Sequence, residues 1–191
     1  MLALWEQHGD AFYHLPDFVL RQEWFHSMSY QTRSSPSFFA SLPVDGTLLD
    51  WGCGTAENSR RGWIDHGGRT ILMDVPGPNF DYCKAKYAPF HVEHRPVSEP
   101  LPRGYDALVC LDVLEHVTEP IKVLESLWDG LKPGGQALLW FDDSLPAAGH
   151  LPDSIALRGD YDRWLLKHAT IRWQGGFDWV EKPRRWWALW T

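Results

Sequence analysis

The apolar positions fall into two rhythms. Short, nearly continuous apolar runs recur through the middle of the chain, in "GTLLDWG", "RTILMDVP", the start of "YDALVCLDVLEHV", and "QALLWF". Runs of this length bounded by glycine, acid or proline predict strands buried on both faces. "APFHVEHRPV" contains a further strand. Between the runs stand segments that read as helices: "AENSRRGWIDHG", "PNFDYCKAKY" and "EPIKVLESLWDGLKPGG". In the last of these, Ile121, Val123, Leu124, Leu127 and Leu131 form one apolar face and the glycines mark the stop. Strand and helix in alternation predict an α/β fold: a Rossmann-like, mostly parallel sheet with helices on both faces.

The two ends break the rhythm. Residues 1–46 predict an N-terminal helical lid region ahead of a main domain at 47–191, the whole forming a single compact domain. "DFVLRQEWFHSMSY" sets Phe18, Gln22 and Phe25 at helical spacing, with Val19 and Leu20 nearby. "SSPSFFASL" has a serine cap signal followed by a first-turn proline, and "PVDG" is a turn. Trp24, Phe25, Tyr30 and Phe38 are candidates to cover a pocket. Packing on the sheet is the competing reading and is favoured for Phe38. At the other end "GDYDRWLLKHATIRW" reads as a helix. "FDWVEKPRRWWALW" reads as two strands turning at Glu181–Pro183, a C-terminal antiparallel hairpin at the sheet edge. Most of the 12 tryptophans lie in the first and last quarters, and packing around that hairpin accounts for those of the tail.

Composition narrows the function classes. A chain of 191 residues builds one domain with a sizeable core. No apolar run is long enough to span a membrane. "MLALWEQHGDAF" has neither the basic start nor the apolar stretch of a signal peptide. Cys53, Cys83 and Cys110 lack metal or redox spacing, so reduced, buried thiols in a cytoplasmic protein are expected. A net charge of −7, with "KPRR" as the only basic cluster, argues against a nucleic-acid partner. The oligomeric state is not encoded in any visible pattern.

The candidate chemistry starts at "LLDWGCGTAENS". Gly52 and Gly54 allow a tight turn and close approach of a ligand to the backbone. A dinucleotide fingerprint needs a third glycine, and Glu57 stands in its place. An acid at a helix start opposes a pyrophosphate, which speaks against NAD and FAD. Asp74 ends the next strand and can accept hydrogen bonds from both hydroxyls of a ribose; capping the "DVPGP" turn is its structural alternative.

"LLDWGCGTAENS", "ILMDVP", "YDALVCLDVLEHV" and "LKPGGQALLWF", in this order and spacing, resemble the class I S-adenosylmethionine-dependent methyltransferases. The similarity is greatest to the small-molecule type that includes ubiquinone- and menaquinone-biosynthesis enzymes, and covers about residues 46–142. The resemblance implies S-adenosyl-L-methionine as cofactor, with Asp50, Gly52, Cys53 and Gly54 around its methionine part. It places Asp74 on the ribose, Val75 against the adenine, and Leu111 at the methionine arm or the substrate mouth. Where the family often has an acid before "LP", this chain has Val97 with Ser98 beside it, so the adenine contact passes through backbone or the Ser98 hydroxyl. Ala56 stands where the family often has glycine.

Methyl transfer needs alignment of two reactants, and a base where the acceptor is a hydroxyl. His116, in "LDVLEHV", is the candidate base, with a helix-start structural role as the alternative. Asp142, Asp143 and His150 are weaker substrate candidates beyond the fifth strand. A small-molecule acceptor and O-methylation are expected over N- or C-methylation. One alternative is a cofactor-binding protein without turnover. Another is metal assistance: Asp112, Glu115 and His116 are spaced i, i+3, i+4, which on a helical turn sets them on one face, with His150 as a further ligand. The expectation here is no metal.

Overall fold

The computed structural model describes residues 36–144, 149–174 and 177–184. The proposed helix within residues 17–30, with Trp24, Phe25 and Tyr30, lies outside these residues, as does the second tail strand beyond Arg184.

The described elements are α1 (Pro36–Ala40), β1 (Thr47–Trp51), α2 (Glu57–Gly62), β2 (Arg69–Asp74), α3 (Pro78–Tyr87), β3 (Val92–Pro96), β4 (Tyr105–Leu111), α4 (Pro120–Gly130), β5 (Leu131–Trp140), α5 (Pro152–Ile155), α6 (Arg158–His168), β6 (Thr170–Gln174) and β7 (Asp178–Glu181). Short 3-10 turns occupy Ile64–His66 and Leu114–His116. All seven strands form one sheet in the order 3-2-1-4-5-7-6. The first five are parallel; β7 runs antiparallel to β5 and β6 antiparallel to β7. The order reverses direction between β1 and β4, the switch point at whose carboxyl side open sheets bind ligands.

The strands form where the apolar runs predict them. Leu48, Leu49, Leu72, Leu108, Leu138 and Leu139 are fully buried, as a sheet covered on both faces requires. One face carries α4 and α6, with Leu124, Leu127, Trp128, Tyr161 and Leu165 in the core. The other carries α1, whose Phe38 and Phe39 pack with Trp63, Leu48 and Leu138. Phe38 therefore packs on the sheet. Helices α1, α3 and α4 each open on proline, whose missing N–H has no partner to lose in a first turn. All three cysteines are buried and unbridged.

Three boundaries correct the sequence reading. The helix expected through Trp173 ends at His168, and Thr170–Gln174 is a strand. Strands β6 and β7 thus form an antiparallel hairpin that turns before Asp178, while the strand expected after a turn at Glu181–Pro183 lies outside the described residues. Leu131 is not the last inward residue of α4; it opens β5 opposite Tyr105, and the register slips before Ala107 pairs with Gln136. Lys182 holds this irregular start: its backbone exchanges hydrogen bonds with Gly134 and Gly135, and its ammonium donates to the Trp128 and Leu131 carbonyls. "AENSRRGWIDHG" is a helix to Gly62 and then a separate turn, with Gly62 lying flat under the Phe39 ring.

No helix among the described residues is long and apolar enough to cross a membrane.

Candidate functional site

The parallel strands β1, β2, β4 and β5 end on the same edge of the sheet, and the predicted site residues leave from those ends. After β1 the chain turns sharply. Gly52 has φ +71°, Gly54 φ +54° and Ala56 φ 54°, all left-handed. The N–H groups of Gly52 and Cys53 both donate to the Met73 carbonyl, at 2.8 and 3.2 Å, which clamps the turn to the neighbouring strand. A side chain at Gly52 would strike Val113, so glycine is required there twice over, for conformation and for space. Ala56 carries the left-handed strain that glycine would avoid.

Asp74 closes the arrangement. Its Oδ2 accepts the Gly54 N–H at 2.6 Å and its Oδ1 accepts the Val75 N–H at 2.7 Å. Burial raises its carboxyl above the ordinary range, while these two bonds pull it down. The acid thus ties the glycine turn to the end of β2. Val75, beside it, is 60% exposed, an open apolar surface. Val97 follows β3 and donates its N–H to the Asp74 carbonyl at 3.0 Å; Ser98 is exposed and Leu111 half-buried. The residues assigned to cofactor thus leave from the ends of four adjacent strands, in the sheet order β3, β2, β1 and β4.

Asp50 lies near the end of β1, 4% exposed, accepting a 2.6 Å hydrogen bond from the Ser59 hydroxyl. Burial pushes its carboxyl up to about 7, against the Ser59 bond and with help from Asp74. Nothing in the sequence marked Ser59 as its partner. The Cys53 thiol, in contact with Cys83 and buried, is held well above the ordinary thiol range, so it packs rather than reacts.

One part of the sequence argument is corrected. Glu57 does begin a helix, but it does not present its charge to a ligand. It is 2% exposed and paired with Arg60 at 2.8 Å, with Arg61 at 3.5 Å and with Lys86. Its carboxyl is lowered by Arg60 and Lys86 despite burial. Lys86 arrives from α3, 29 residues away, which no local pattern reveals.

A second group gathers beyond β4 and β5. Asp112 takes φ 56°, and Glu115 and His116 follow in the 3-10 turn. The single helical face expected for these three does not form. They divide instead into two trios that share Glu115: Glu115 with His116 and His150, and Glu115 with Asp112 and Asp142. Within each trio the potential ligand atoms lie within 4.8 Å of one another. Leu151 donates its N–H to the Glu115 carbonyl at 2.9 Å, which brings the loop carrying His150 onto the turn. The His116 and His150 rings meet edge to face, 4.9 Å apart. His116 Nδ1 lies 2.8 Å from the Gly149 carbonyl, and His150 Nδ1 lies 2.9 Å from the Ser144 carbonyl. A carbonyl only accepts, so each Nδ1 carries a proton, and in the neutral ring Nε2 carries the lone pair. Burial lowers His116 below the ordinary imidazole value, and the Gly149 bond opposes this. Asp142 caps its own loop through the Ser144 N–H at 3.0 Å, and Asp143 is exposed.

Most of the chain, residues 24–181, matches the family described as "Methyltransferase domain". The ubiquinone biosynthesis O-methyltransferase of Saccharophagus degradans is 36% identical over 103 residues, 46% of this chain and 40% of that protein. The thiol S-methyltransferase TMT1B of Rattus norvegicus is 30% identical over 156 residues, 67% of this chain and 63% of that protein. The chain thus spans less than two thirds of the length of either relative. A TehB-like SAM-dependent methyltransferase structure from Corynebacterium glutamicum superposes with a TM-score of 0.58 at 14% identity, over 90% of this chain and all of that one, a likeness of fold. The glycine turn clamped to β2, the acid closing it, the seven-stranded sheet with its terminal hairpin and the match across 24–181 lead to one conclusion: the chain belongs to the methyltransferase-domain family, of the class I S-adenosylmethionine-dependent type.

Proposed function

We propose that the protein transfers a methyl group from S-adenosyl-L-methionine to a hydroxyl of a small molecule. The observation that carries the cofactor assignment is the Asp74 carboxylate bonded to the Gly54 N–H at 2.6 Å, joining the glycine turn and the ribose-class acid into one rim. Bound S-adenosylmethionine supplies an activated methyl group whose sulfonium leaves as a neutral thioether. The chain's own residues do the rest. Asp74 accepts hydrogen bonds from the ribose hydroxyls, and Val75 offers an apolar face to the adenine. Val97 and Ser98 border the adenine edge. Gly52, Cys53 and Gly54 present backbone to the methionine arm, with Asp50 below them and Leu111 opposite.

The acceptor's proton must leave as its oxygen binds the methyl carbon. His116 suits that role: its Nδ1–H is held by Gly149, so Nε2 has the lone pair. Burial keeps the ring neutral near pH 7, ready to accept. The two relatives act through oxygen and sulfur by their names. The cluster of imidazoles and acids beyond β4 supports oxygen here, because a hydroxyl needs a base more than a thiol does. The net charge of −7 supports a small-molecule acceptor over a nucleic acid, and His150, Asp142 and Asp143, with Tyr30, are the residues proposed to face it.

Calorimetry with S-adenosylhomocysteine and NAD tests the cofactor. S-adenosylhomocysteine is expected to bind and NAD not to bind. Asp74→Ala should weaken the binding by about 10- to 150-fold, the equivalent of one charged hydrogen bond at about 1.5–3 kcal/mol. Unchanged affinity in that variant would return Asp74 to a purely structural role.

A further inference from the structure

We infer that Glu115, His116 and His150 form a binding site for one divalent first-row cation, beside the end of β4. The inference concerns ion binding by this chain; it does not rest on the methyl-transfer reading, but it shares His116 with it.

Glu115 is the centre of the site. It is 0% exposed, and neither carboxylate oxygen has a hydrogen-bond partner of normal geometry among the described residues. A buried carboxylate without a partner is costly, and real structures pair it, protonate it or give it a metal. The environment compounds the problem, since Asp112 and Asp142 lie within ligand distance of the same carboxylate. Three carboxyl groups and two imidazoles meet, and no lysine or arginine pairs with Glu115 among the described residues.

The histidines are arranged as ligands are. A coordinating imidazole usually donates its second ring N–H to a carbonyl or carboxylate, which fixes its tautomer and aim. His116 does this to Gly149 and His150 does it to Ser144. His150 Nε2 stands 3.9 Å from Glu115 Oε1. Around a cation with bonds of about 2.0–2.2 Å, two ligand atoms are at most about 4.4 Å apart. The 3.9 Å pair already fits, and the trio's 4.8 Å limit needs a closure of only a few tenths of an ångström.

The donor set also selects the ion. Two imidazoles with a carboxylate suit Mn²⁺, Fe²⁺, Co²⁺ or Zn²⁺ better than Mg²⁺ or Ca²⁺, which prefer all-oxygen shells. Asp112 and Asp142 gather around the same Glu115, within 4.8 Å of its ligand atom, and add negative charge beside the site. This proposal replaces the metal-free expectation drawn from the sequence. With the ion bound, His116 Nε2 is a ligand, so its role as a base belongs to the ion-free protein.

The test uses full-length protein stripped with chelator and dialysed. Mn²⁺ is titrated by calorimetry and by loss of the free-ion electron spin resonance signal, with Mg²⁺ as comparison. One equivalent of Mn²⁺ should bind, more tightly than Mg²⁺, and thermal melts should shift upward with added Mn²⁺. Glu115→Gln and His150→Asn should each weaken Mn²⁺ binding by at least about 10–100-fold. Circular dichroism checks that each variant is folded, and either folded variant suffices. No saturable Mn²⁺ binding to the unmodified protein would overturn the proposal, as would wild-type affinity in a folded variant. S-adenosylhomocysteine binding measured on the same samples separates the two readings. If it binds while Mn²⁺ does not, only the metal site falls. If Mn²⁺ binds while it does not, the site stands and the cofactor assignment falls.

Discussion

Gly52 offers the sharpest test of the glycine turn. Replacing it by alanine adds one methyl group, and the structure says where that group goes. It would lie 2.5 and 2.6 Å from the two γ-carbons of Val113 and 3.1 Å from its β-carbon. The turn cannot easily retreat, because Gly52 and Cys53 are both bonded to the Met73 carbonyl. At φ +71° an L-residue also costs about 1–2 kcal/mol. Overpacking typically adds about 1–3 kcal/mol. Gly52→Ala should therefore destabilise the protein by about 2–5 kcal/mol in urea unfolding. Val113→Ala removes both colliding methyl groups, so the double variant separates the terms. Its coupling energy should recover about 1–3 kcal/mol, leaving the conformational cost in place. Stability within about 0.5 kcal/mol of wild type for Gly52→Ala would refute the reasoning. Strict additivity in the double variant would refute the steric half of it alone.

Two further outcomes follow from titration and chemistry. Asp50 titrates near 7 in the folded chain against an ordinary value of 3.8, so the folded state binds the proton more tightly and stability falls as pH rises between those values. Asp50→Asn should remove that loss, gaining on the order of 2–4 kcal/mol at pH 8 and little at pH 4, as read from denaturant curves at both pH values; an equal effect at both would disprove the burial account. His116→Ala in ion-free protein should lower S-adenosylhomocysteine release from acceptor-containing extract by ~10²–10⁴-fold while leaving cofactor affinity nearly intact. Because burial holds His116 below its ordinary value, wild-type turnover should decline only below about pH 6.5. Near-normal turnover in that variant would leave His116 a structural residue.

The glycine turn and the acid that closes it were legible because their signals are local. Gly52, Gly54 and Asp74 each sit at the end of a buried apolar run, and a run's end is visible in a single sequence. What escaped the sequence depends on distance. Lys86 neutralises Glu57 from another helix, and Ser59 holds Asp50 from the far side of the turn. His150 ranked as a weak candidate because 33 residues separate Gly149 from His116, and only the folded loop places them together. Strand β6 was hidden for a different reason. α6 ends at His168 with Ala169 following, neither glycine nor proline, so the helical pattern runs on into Thr170 and Ile171 without a breaker. Their β-branching was the available signal.

The order in which strands enter the sheet carries a consequence for synthesis. β7, the last described strand, does not lie at the edge; it fills the gap between β5 and β6. Until residues 178–181 emerge from the ribosome, β5 has one side unpaired, and it is a strand with Ala137, Leu138 and Leu139 fully buried in the finished fold. During that interval β6 lacks β7, its only strand partner among the described residues. Such an open apolar edge is a template for pairing with other chains. The nascent protein is therefore vulnerable to misassembly until residues 178–181 have emerged, and closing of the sheet waits on a segment of four residues.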